Sequence, residues 1–355
     1  MEAVDSITLR RPDDFHVHVR QGQLLRDVMP YTAGVFGRLL IMPNTQPPIE
    51  DAVNALRYQG EILQALPAPI QRYAKPLMTI YLTPTTTPEM IAAAATAGVI
   101  AAKLYPVGVT TGSANGVRTL AGLSEVFQTM RDYGMVLCVH AETPQADVDE
   151  FEREALYIET LAKILLGCSD LHMVVEHVSS AAMVRFVRLM SANIAATITA
   201  HHLALTRDDL LHAGLRPHLY CKPVLKSVAD RTALREVLKT RNPKFFFGSD
   251  SAPHPVVKKE SSTCAAGIYS APVRMPLLIQ LFEQHIGLER LEDFTSRFGA
   301  QFYGLPLNGD TVTFERKPWK VAERWPGDIV PLCAGETLAW RIAKEDDNGS
   351  SSPAQ

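Results

Sequence analysis

The chain has few cysteines, and their arrangement argues against two classes of protein. Their number is odd, and no C-x-x-C pair occurs. A disulfide scaffold or a thiolate zinc site needs paired or closely spaced cysteines, so we expect neither. This usage fits a protein of the reducing cytoplasm, in which most of these side chains are small apolar fillers. The five cysteines are Cys138, Cys168, Cys221, Cys264 and Cys333.

Long apolar runs and runs of like charge are also missing. The most apolar-looking stretch, residues 91–102, is interrupted by Thr96 and Gly98 and is shorter than the about 20 apolar residues that a bilayer requires. Residues 1–11 have no apolar core, so we expect no signal peptide. The formal net charge is -3 without a basic block, and we expect neither nucleic acid nor a membrane as a partner.

The composition that is present is that of an average globular protein, with 355 residues of which 46% are hydrophobic and 21% are charged. Short, near-continuous apolar segments alternate with helical patterns. This alternation predicts an α/β fold, a (β/α)8 TIM barrel with its helices outside. The eight predicted strands cover residues 14–19, 38–43, 77–82, 99–105, 135–140, 172–177, 194–199 and 244–248. The predicted helices include residues 50–66, 88–97, 120–133, 150–166, 181–190 and 228–240.

The domain prediction follows from the same pattern. We expect residues 1–344 to form a single barrel domain, with a strand-and-loop segment at 312–342 as a small C-terminal appendage. Residues 345–355 are polar, and we predict a disordered tail there.

Polar side chains gather where the predicted strands end. His16 and His18 alternate at the end of the first strand, so that their side chains and that of Arg20 share one face of an extended chain. The carboxyl ends of the strands of a (β/α)8 barrel converge on one mouth, where such enzymes place their chemistry. The further residues at or just beyond predicted strand ends are Asn44, Lys103, His140, His177 and Asp250.

This set of nitrogen and oxygen donors suits a two-metal site, with zinc favoured and manganese or cobalt as substitutes. Lys103 is the unusual member, because an ammonium repels a metal ion. Neighbouring cations lower the pKa of a lysine, and a neutral amine reacts with carbon dioxide to give a carbamate that can bridge two metals. The alternative is a barrel lysine whose stem lies along apolar surface.

In order and spacing, these motifs resemble those of the amidohydrolase superfamily, and more closely those of dihydroorotases of the bacterial single-function type. The resemblance runs from Arg11 to about Tyr303, which is most of the chain. The motifs are RPDDFHVHVR at 11–20, MPN at 42–44, AKLYP at 102–106, HLYC at 218–221, GSDSAPH at 248–254 and QFYGLP at 301–306.

The resemblance implies two zinc ions per subunit, bridged by a carboxylated lysine (N6-carboxylysine) at Lys103 and by a hydroxide that acts as the nucleophile. Asp250 would be the general base and acid. The implied reaction is the reversible cyclisation of N-carbamoyl-L-aspartate to L-dihydroorotate, in pyrimidine biosynthesis, by a homodimer. The implied ligands of one ion are His16, His18, Lys103 and Asp250, and those of the other are Lys103, His140 and His177.

The resemblance also implies how the substrate is bound. Its carboxylate would be held by Arg20, Asn44 and His254, because arginine binds a carboxylate through two parallel hydrogen bonds. The simpler alternatives are a salt bridge from Arg20 to Asp13 or Asp14, a turn role for Asn44, and a loop role for His254. His18 and His140 would also face the substrate.

Two further segments would complete the binding site. Backbone groups near Lys222 and Ala266 would bind the ring amide, although relatives carry an apolar residue at the Lys222 position. Residues 107–116 resemble a mobile loop in which Thr110 and Thr111 close over the substrate, the alternative being an ordinary flexible connection.

Other nearby polar residues have weaker expectations. We expect His201 and His202 to line the site or support it rather than to bind metal. Glu142 and Glu176 adjoin proposed ligands and could orient them, but strand alternation points Glu176 away from the side of His177.

Three other functions remain open from the sequence. The same metal site could act on a hydantoin, another cyclic imide or a phosphoester. A mononuclear deaminase would leave Lys103 without a role. A non-catalytic scaffold is disfavoured because all six expected ligands are present.

Overall fold

The computed structural model describes residues 4–212 and 214–343. The predicted tail at 345–355 lies outside the described residues. In these ranges no helix combines the length and the apolar character that crossing a membrane requires.

The predicted barrel is confirmed by a sheet of eight parallel strands, which lie side by side in the order in which they follow along the chain. Each predicted strand is found, and most are shorter than the apolar run because the last polar residues lie beyond the ladder. The strands in chain order are β1 (Ser6–Arg10), β2 (Asp13–Val17), β3 (Arg38–Ile41), β4 (Lys75–Leu82), β5 (Ala101–Leu104), β6 (Val136–Val139), β7 (Met173–Val175), β8 (Ile194–Ile198), β9 (Phe245–Phe247), β10 (Thr311–Glu315), β11 (Trp319–Lys320), β12 (Thr337–Leu338) and β13 (Arg341–Ile342).

Helices follow most barrel strands and pack their apolar sides on the outside of the sheet. Several begin with a side-chain cap, such as Asp51, which accepts from the amide of Asn54, and Ser227, which forms a capping box with Asp230. The α-helices are α1 (Gly22–Ala33), α2 (Ala52–Ala65), α3 (Ala68–Gln71), α4 (Pro88–Thr96), α5 (Ser124–Asp132), α6 (Arg153–Leu156), α7 (Ile158–Gly167), α8 (Ala181–Leu189), α9 (Ala200–Ala204), α10 (Arg207–Leu211), α11 (Val228–Lys239), α12 (Val256–Lys259), α13 (Arg274–Leu281) and α14 (Phe298–Phe302).

The structure has the predicted C-terminal appendage outside the barrel, and an N-terminal strand forms part of it. β1 pairs antiparallel with β10, which in turn pairs with β13. No strand was predicted at 6–10, because that segment is short and largely polar and its partner is about 300 residues away in sequence.

The barrel closes through the segment that follows β9. The amide of Asp250 donates to the carbonyl of His16 at 2.9 Å, and the amide of His18 donates to the carbonyl of Ser251 at 3.0 Å. Gly248 makes this closure possible, because a Cβ there would lie 2.9 Å from the Cβ of His16 and 2.8 Å from that of Thr197. The first and last strands therefore bring the histidine pair and Asp250 together.

Candidate metal centre and substrate pocket

The ends of the strands converge on one pocket that contains most of the predicted site residues. Lys103 and His254 do not line its open space. Lys103 is completely buried, and His254 contacts other pocket residues. The predicted residues that line the pocket are His16, His18, Arg20, Asn44, Thr110, Thr111, His140, His177, Lys222, Asp250 and Ala266. Lining residues that were not predicted are Tyr105, Ala252 and Gly267.

His16, His18 and Asp250 form the first group of candidate metal donors, all buried, with their donor atoms within 4.8 Å of one another. Oδ1 of Asp250 lies 3.0 Å from Nε2 of His18 and 3.4 Å from Nε2 of His16. Burial alone would raise the pKa of Asp250, but its close contacts with His16 and His18 hold it well below its usual range. Asp250 is thus a carboxylate, as a metal ligand and proton acceptor must be.

A second pair of imidazoles faces this group. Nδ1 of His140 and Nε2 of His177 lie 3.2 Å apart, and the rings of His16 and His177 have centroids 5.0 Å apart. Burial lowers the pKa of both His140 and His177, which keeps imidazoles neutral and available as ligands.

The outward nitrogen of three histidines is held by an oxygen acceptor. Nδ1 of His16 lies 2.7 Å from Oε2 of Glu176, Nε2 of His140 lies 2.7 Å from Oε2 of Glu142, and Nδ1 of His18 lies 2.7 Å from Oδ1 of Asn44. Such partners fix ring orientation and leave the other nitrogen pointing inward, as is typical of histidines at metal sites.

The expectation for Glu176 is therefore wrong in direction. β7 ends at Val175, and His177 has a positive φ of 42°, so the alternation of an extended strand does not continue through these residues. Glu176 turns into the barrel, where it meets His16 and accepts from the hydroxyl of Thr197 at 2.6 Å.

Lys103 lies inside the barrel between its neighbours Tyr81 on β4 and Cys138 on β6. Its side chain is 0% exposed, which excludes the alternative of a lysine reaching for solvent. Nζ has no hydrogen-bond partner among the described residues, an unusual condition for a buried amine. Burial lowers the pKa of Lys103, although Glu176 and Asp250 oppose the shift.

Arg20 and His254 form one unit on the wall of the pocket. Nε of Arg20 donates to the carbonyl of Pro253 at 3.0 Å, and Nη2 lies 2.8 Å from Nε2 of His254. Burial and the neighbouring guanidinium lower the pKa of His254 to about 2, so His254 is neutral.

The alternative partners of Arg20 are already engaged. Asp13 accepts two hydrogen bonds from Arg38, at 2.9 and 2.6 Å, and Asp14 lies 3.5 Å from Arg274. Arg20 thus keeps part of its guanidinium available toward the pocket.

The 107–116 loop lies against the pocket. The hydroxyl of Thr111 donates to the carbonyl of Ala266 at 3.3 Å, and Nδ2 of Asn44 donates to the carbonyl of Thr111 at 3.1 Å. Asn44 therefore joins the loop to the metal centre as well as facing the pocket.

Lys222 lines the pocket, but its ammonium is bound to the carboxylate of Glu150. Only part of its side chain is therefore free to act on a ligand.

His201, His202 and Cys221 form a second buried group with ligand atoms within 4.8 Å of one another. Both ring nitrogens of His202 have partners, in Thr199 and the carbonyl of Pro223, and the thiol of Cys221 contacts that same carbonyl. Internal hydrogen bonds thus occupy His202 and Cys221, and only His201 has ring nitrogens without a hydrogen-bond partner among the described residues. The first group, which is joined by a second pair of imidazoles, is therefore the better metal centre.

Comparison with known proteins agrees with this arrangement. The amidohydrolase family matches residues 14–321. The chain belongs to this family. Within it, the chain is 48% identical to a dihydroorotase from Marinobacter nauticus over 342 residues, which are 95% of this chain and 99% of that protein. The predicted resemblance is confirmed.

Solved structures of this amidohydrolase group have the same fold over nearly the whole chain. A dihydroorotase from Campylobacter jejuni matches with a TM-score of 0.88 at 32% identity, covering 97% of this chain and 99% of that one. A dihydroorotase from Saccharomyces cerevisiae, in complex with 5-fluoroorotic acid, matches with a TM-score of 0.89 at 33% identity, covering 96% and 99%.

Proposed function

We propose that this amidohydrolase is a dihydroorotase that interconverts N-carbamoyl-L-aspartate and L-dihydroorotate at a two-metal centre. The observation that supports it most is the meeting of His16, His18 and Asp250 with the His140–His177 pair beside the buried amine of Lys103. This donor set matches what two zinc ions require. Bound divalent metals would supply an activated water and polarise the carbonyl that it attacks.

Asp250 is the proton carrier in this proposal. As a carboxylate beside the pocket, it takes a proton from the attacking water during ring opening and gives it to the departing ring nitrogen. In ring closure, the same carboxyl group moves the proton in the opposite direction. Oδ1 of Asp250 lies beside Nε2 of both His18 and His16 and therefore points toward the centre.

Lys103 is carboxylated in the active protein. The amine nitrogen attacks carbon dioxide, a new N–C bond forms, and one proton leaves to solvent, which gives a carbamate. That group has two oxygens and can hold one ion on the His16–His18 side and one on the His140–His177 side. The buried amine of Lys103 has no hydrogen-bond partner among the described residues, and it gains binding partners when it becomes a carbamate. This supports the modification.

Arg20 binds the free carboxylate of the substrate, with Asn44 and the neutral His254 as hydrogen-bonding partners. The guanidinium is half-buried and oriented by the carbonyl of Pro253, so it is preorganised for bidentate binding. His18 and His140 face the same space. The ring amide binds backbone groups of Lys222 and Ala266, and the Lys222 side chain stays with Glu150, so its departure from an apolar residue is tolerated.

We further predict that zinc is the metal loaded in the cell, that the protein is a cytoplasmic homodimer, and that residues 1–344 form one domain.

The deciding experiment is hydrolysis of L-dihydroorotate by purified protein, before and after chelation and zinc replacement. We expect turnover that disappears on chelation, returns with zinc and is lost in Asp250→Ala. If the protein binds two zinc ions but does not hydrolyse L-dihydroorotate, its substrate is another cyclic amide such as a hydantoin. Neither metal nor turnover would favour a non-catalytic scaffold.

A further inference from the structure

Lys259 is a buried lysine outside the metal centre, at the end of α12, with 3% of its surface exposed. Its ammonium donates to three backbone carbonyls: Tyr220 at 2.8 Å, Ala265 at 2.9 Å and Gly267 at 2.8 Å. An ammonium has three protons, so each of them has an acceptor. The acceptors come from two separate segments, and Lys259 therefore ties those segments together.

The carbonyls of three consecutive residues divide between Lys259 and the pocket. Those of Ala265 and Gly267 bind Lys259, whereas the carbonyl between them, that of Ala266, points the other way. The Ala266 oxygen lies 3.0 Å from Nε2 of His254 and accepts from the hydroxyl of Thr111 at 3.3 Å. Holding the two outer carbonyls fixes the direction of the middle one.

The position of Gly267 shows how closely this segment is pressed against the site. Its φ is +147°, and a Cβ there would lie 2.7 Å from the Cβ of Ala252 and 3.1 Å from Cδ2 of His254. Its amide donates to the carbonyl of Tyr220 at 3.0 Å. The segment has little room to adopt another orientation while Lys259 is in place.

We propose that Lys259 is a positioning residue that aims the Ala266 carbonyl at the substrate's ring amide and at the 107–116 loop. This rests on the proposed function, because it assigns the ring amide to this wall of the pocket. Lys259 does not touch the substrate. It acts through the peptide groups on either side of Ala266.

The charge on Lys259 gives this role a pH dependence. The groups that face it are the three carbonyls, the ring of Tyr220 with its centroid 5.8 Å away, the thiols of Cys221 and Cys264, the cation Arg20 and the neutral imidazole of His254. Burial lowers the pKa of Lys259 to about 8. Above that pH a neutral amine has only two protons for three carbonyls and has lost its charge, so the segment is held less firmly.

The test compares Lys259→Met with Lys258→Met, its exposed neighbour on the same helix, in the zinc-loaded enzyme. We expect KM for L-dihydroorotate to rise about tenfold in Lys259→Met, since one aligned hydrogen bond to the substrate is lost, while kcat changes less. Lys258→Met should match the wild type. In the wild type KM should rise above about pH 8, and in Lys259→Met it should stay flat across that range.

Hydrogen exchange gives a second readout that is independent of turnover. Amides of residues 264–268 should exchange faster in Lys259→Met than in Lys258→Met. An unchanged KM in Lys259→Met, or a fall in kcat alone, would overturn the proposal, as would a wild-type KM that is constant from pH 7 to pH 9.5. The wild-type pH profile decides the matter even if Lys259→Met does not fold. Absence of wild-type turnover would instead refute the proposed function, and exchange would still show whether Lys259 holds the segment.

Discussion

Single residues determine which nitrogen of each histidine is available to a metal. His16 and His140 each have one nitrogen fixed by a buried carboxylate, from Glu176 and Glu142. The sequence places both glutamates next to proposed ligands, which is why a supporting role could be suggested. It does not show which ring each one meets, because Glu176 contacts a histidine 160 positions away rather than its neighbour His177.

Replacing Glu176 should weaken metal binding without disturbing the ligands themselves. In Glu176→Gln the buried acceptor loses its charge, so the His16 ring is held less firmly and is less basic. We expect affinity for zinc to fall by roughly 10- to 100-fold, measured by competition with a chromophoric chelator. Glu260→Gln, which alters an exposed partner of His218, is the control and should bind zinc as the wild type does. Equal affinities in the two variants would contradict this role.

The barrel strands place the site residues at their ends, where the 107–116 loop can cover the pocket. The apolar runs predict the eight barrel strands, since burial on both faces leaves a continuous signal. They do not predict β1, whose burial depends on a distant partner. The family resemblance implies a closing loop at 107–116, but only the structure shows that Thr111 reaches the carbonyl of Ala266.

Removing the loop hydroxyls should slow turnover and leave the metals in place. In the variant combining Thr110→Ala with Thr111→Ala, the hydrogen bond to Ala266 is lost. That bond is worth about 1 kcal/mol, which corresponds to about a fivefold fall in kcat if it holds the closed state during the reaction. Steady-state kinetics and metal analysis test this, with Thr119→Ala, exposed just beyond the loop, as the control. Unchanged rates in the double variant would exclude a lid.

At the scale of the whole molecule, the order of polar residues along the chain predicts a site only because a parallel barrel gathers its strand ends. His16 and Asp250 are 234 positions apart, yet their side chains lie 3.4 Å from each other. The sequence pattern does not predict the arrangement of the backbone carbonyls. Lys259 looks like an ordinary loop cation in the sequence, and its three acceptors come from positions whose side chains play no part in the contact.

The barrel should lose stability in mild acid, in part through His202. Burial lowers the pKa of His202 to about 4, with the carbonyl of Pro223 acting in the opposite direction. Because this folded-state pKa lies below the unfolded value of 6.5, the unfolded chain takes up the proton first as pH falls. The stabilisation is therefore complete above about pH 6.5 and is lost toward pH 4, at up to about 1.4 kcal/mol per pH unit for one proton.

Urea unfolding of metal-free protein between pH 7 and pH 4.5 measures this contribution. Removing the metal from every sample makes protonation of the metal ligands common to all of them. His202→Asn should show a smaller loss of unfolding free energy per pH unit than the wild type, whatever its stability at pH 7. His212→Asn, which replaces an exposed histidine, should keep the wild-type slope. If all three slopes coincide, His202 is not a source of the acid sensitivity, and the other buried histidines of the barrel mouth must account for it.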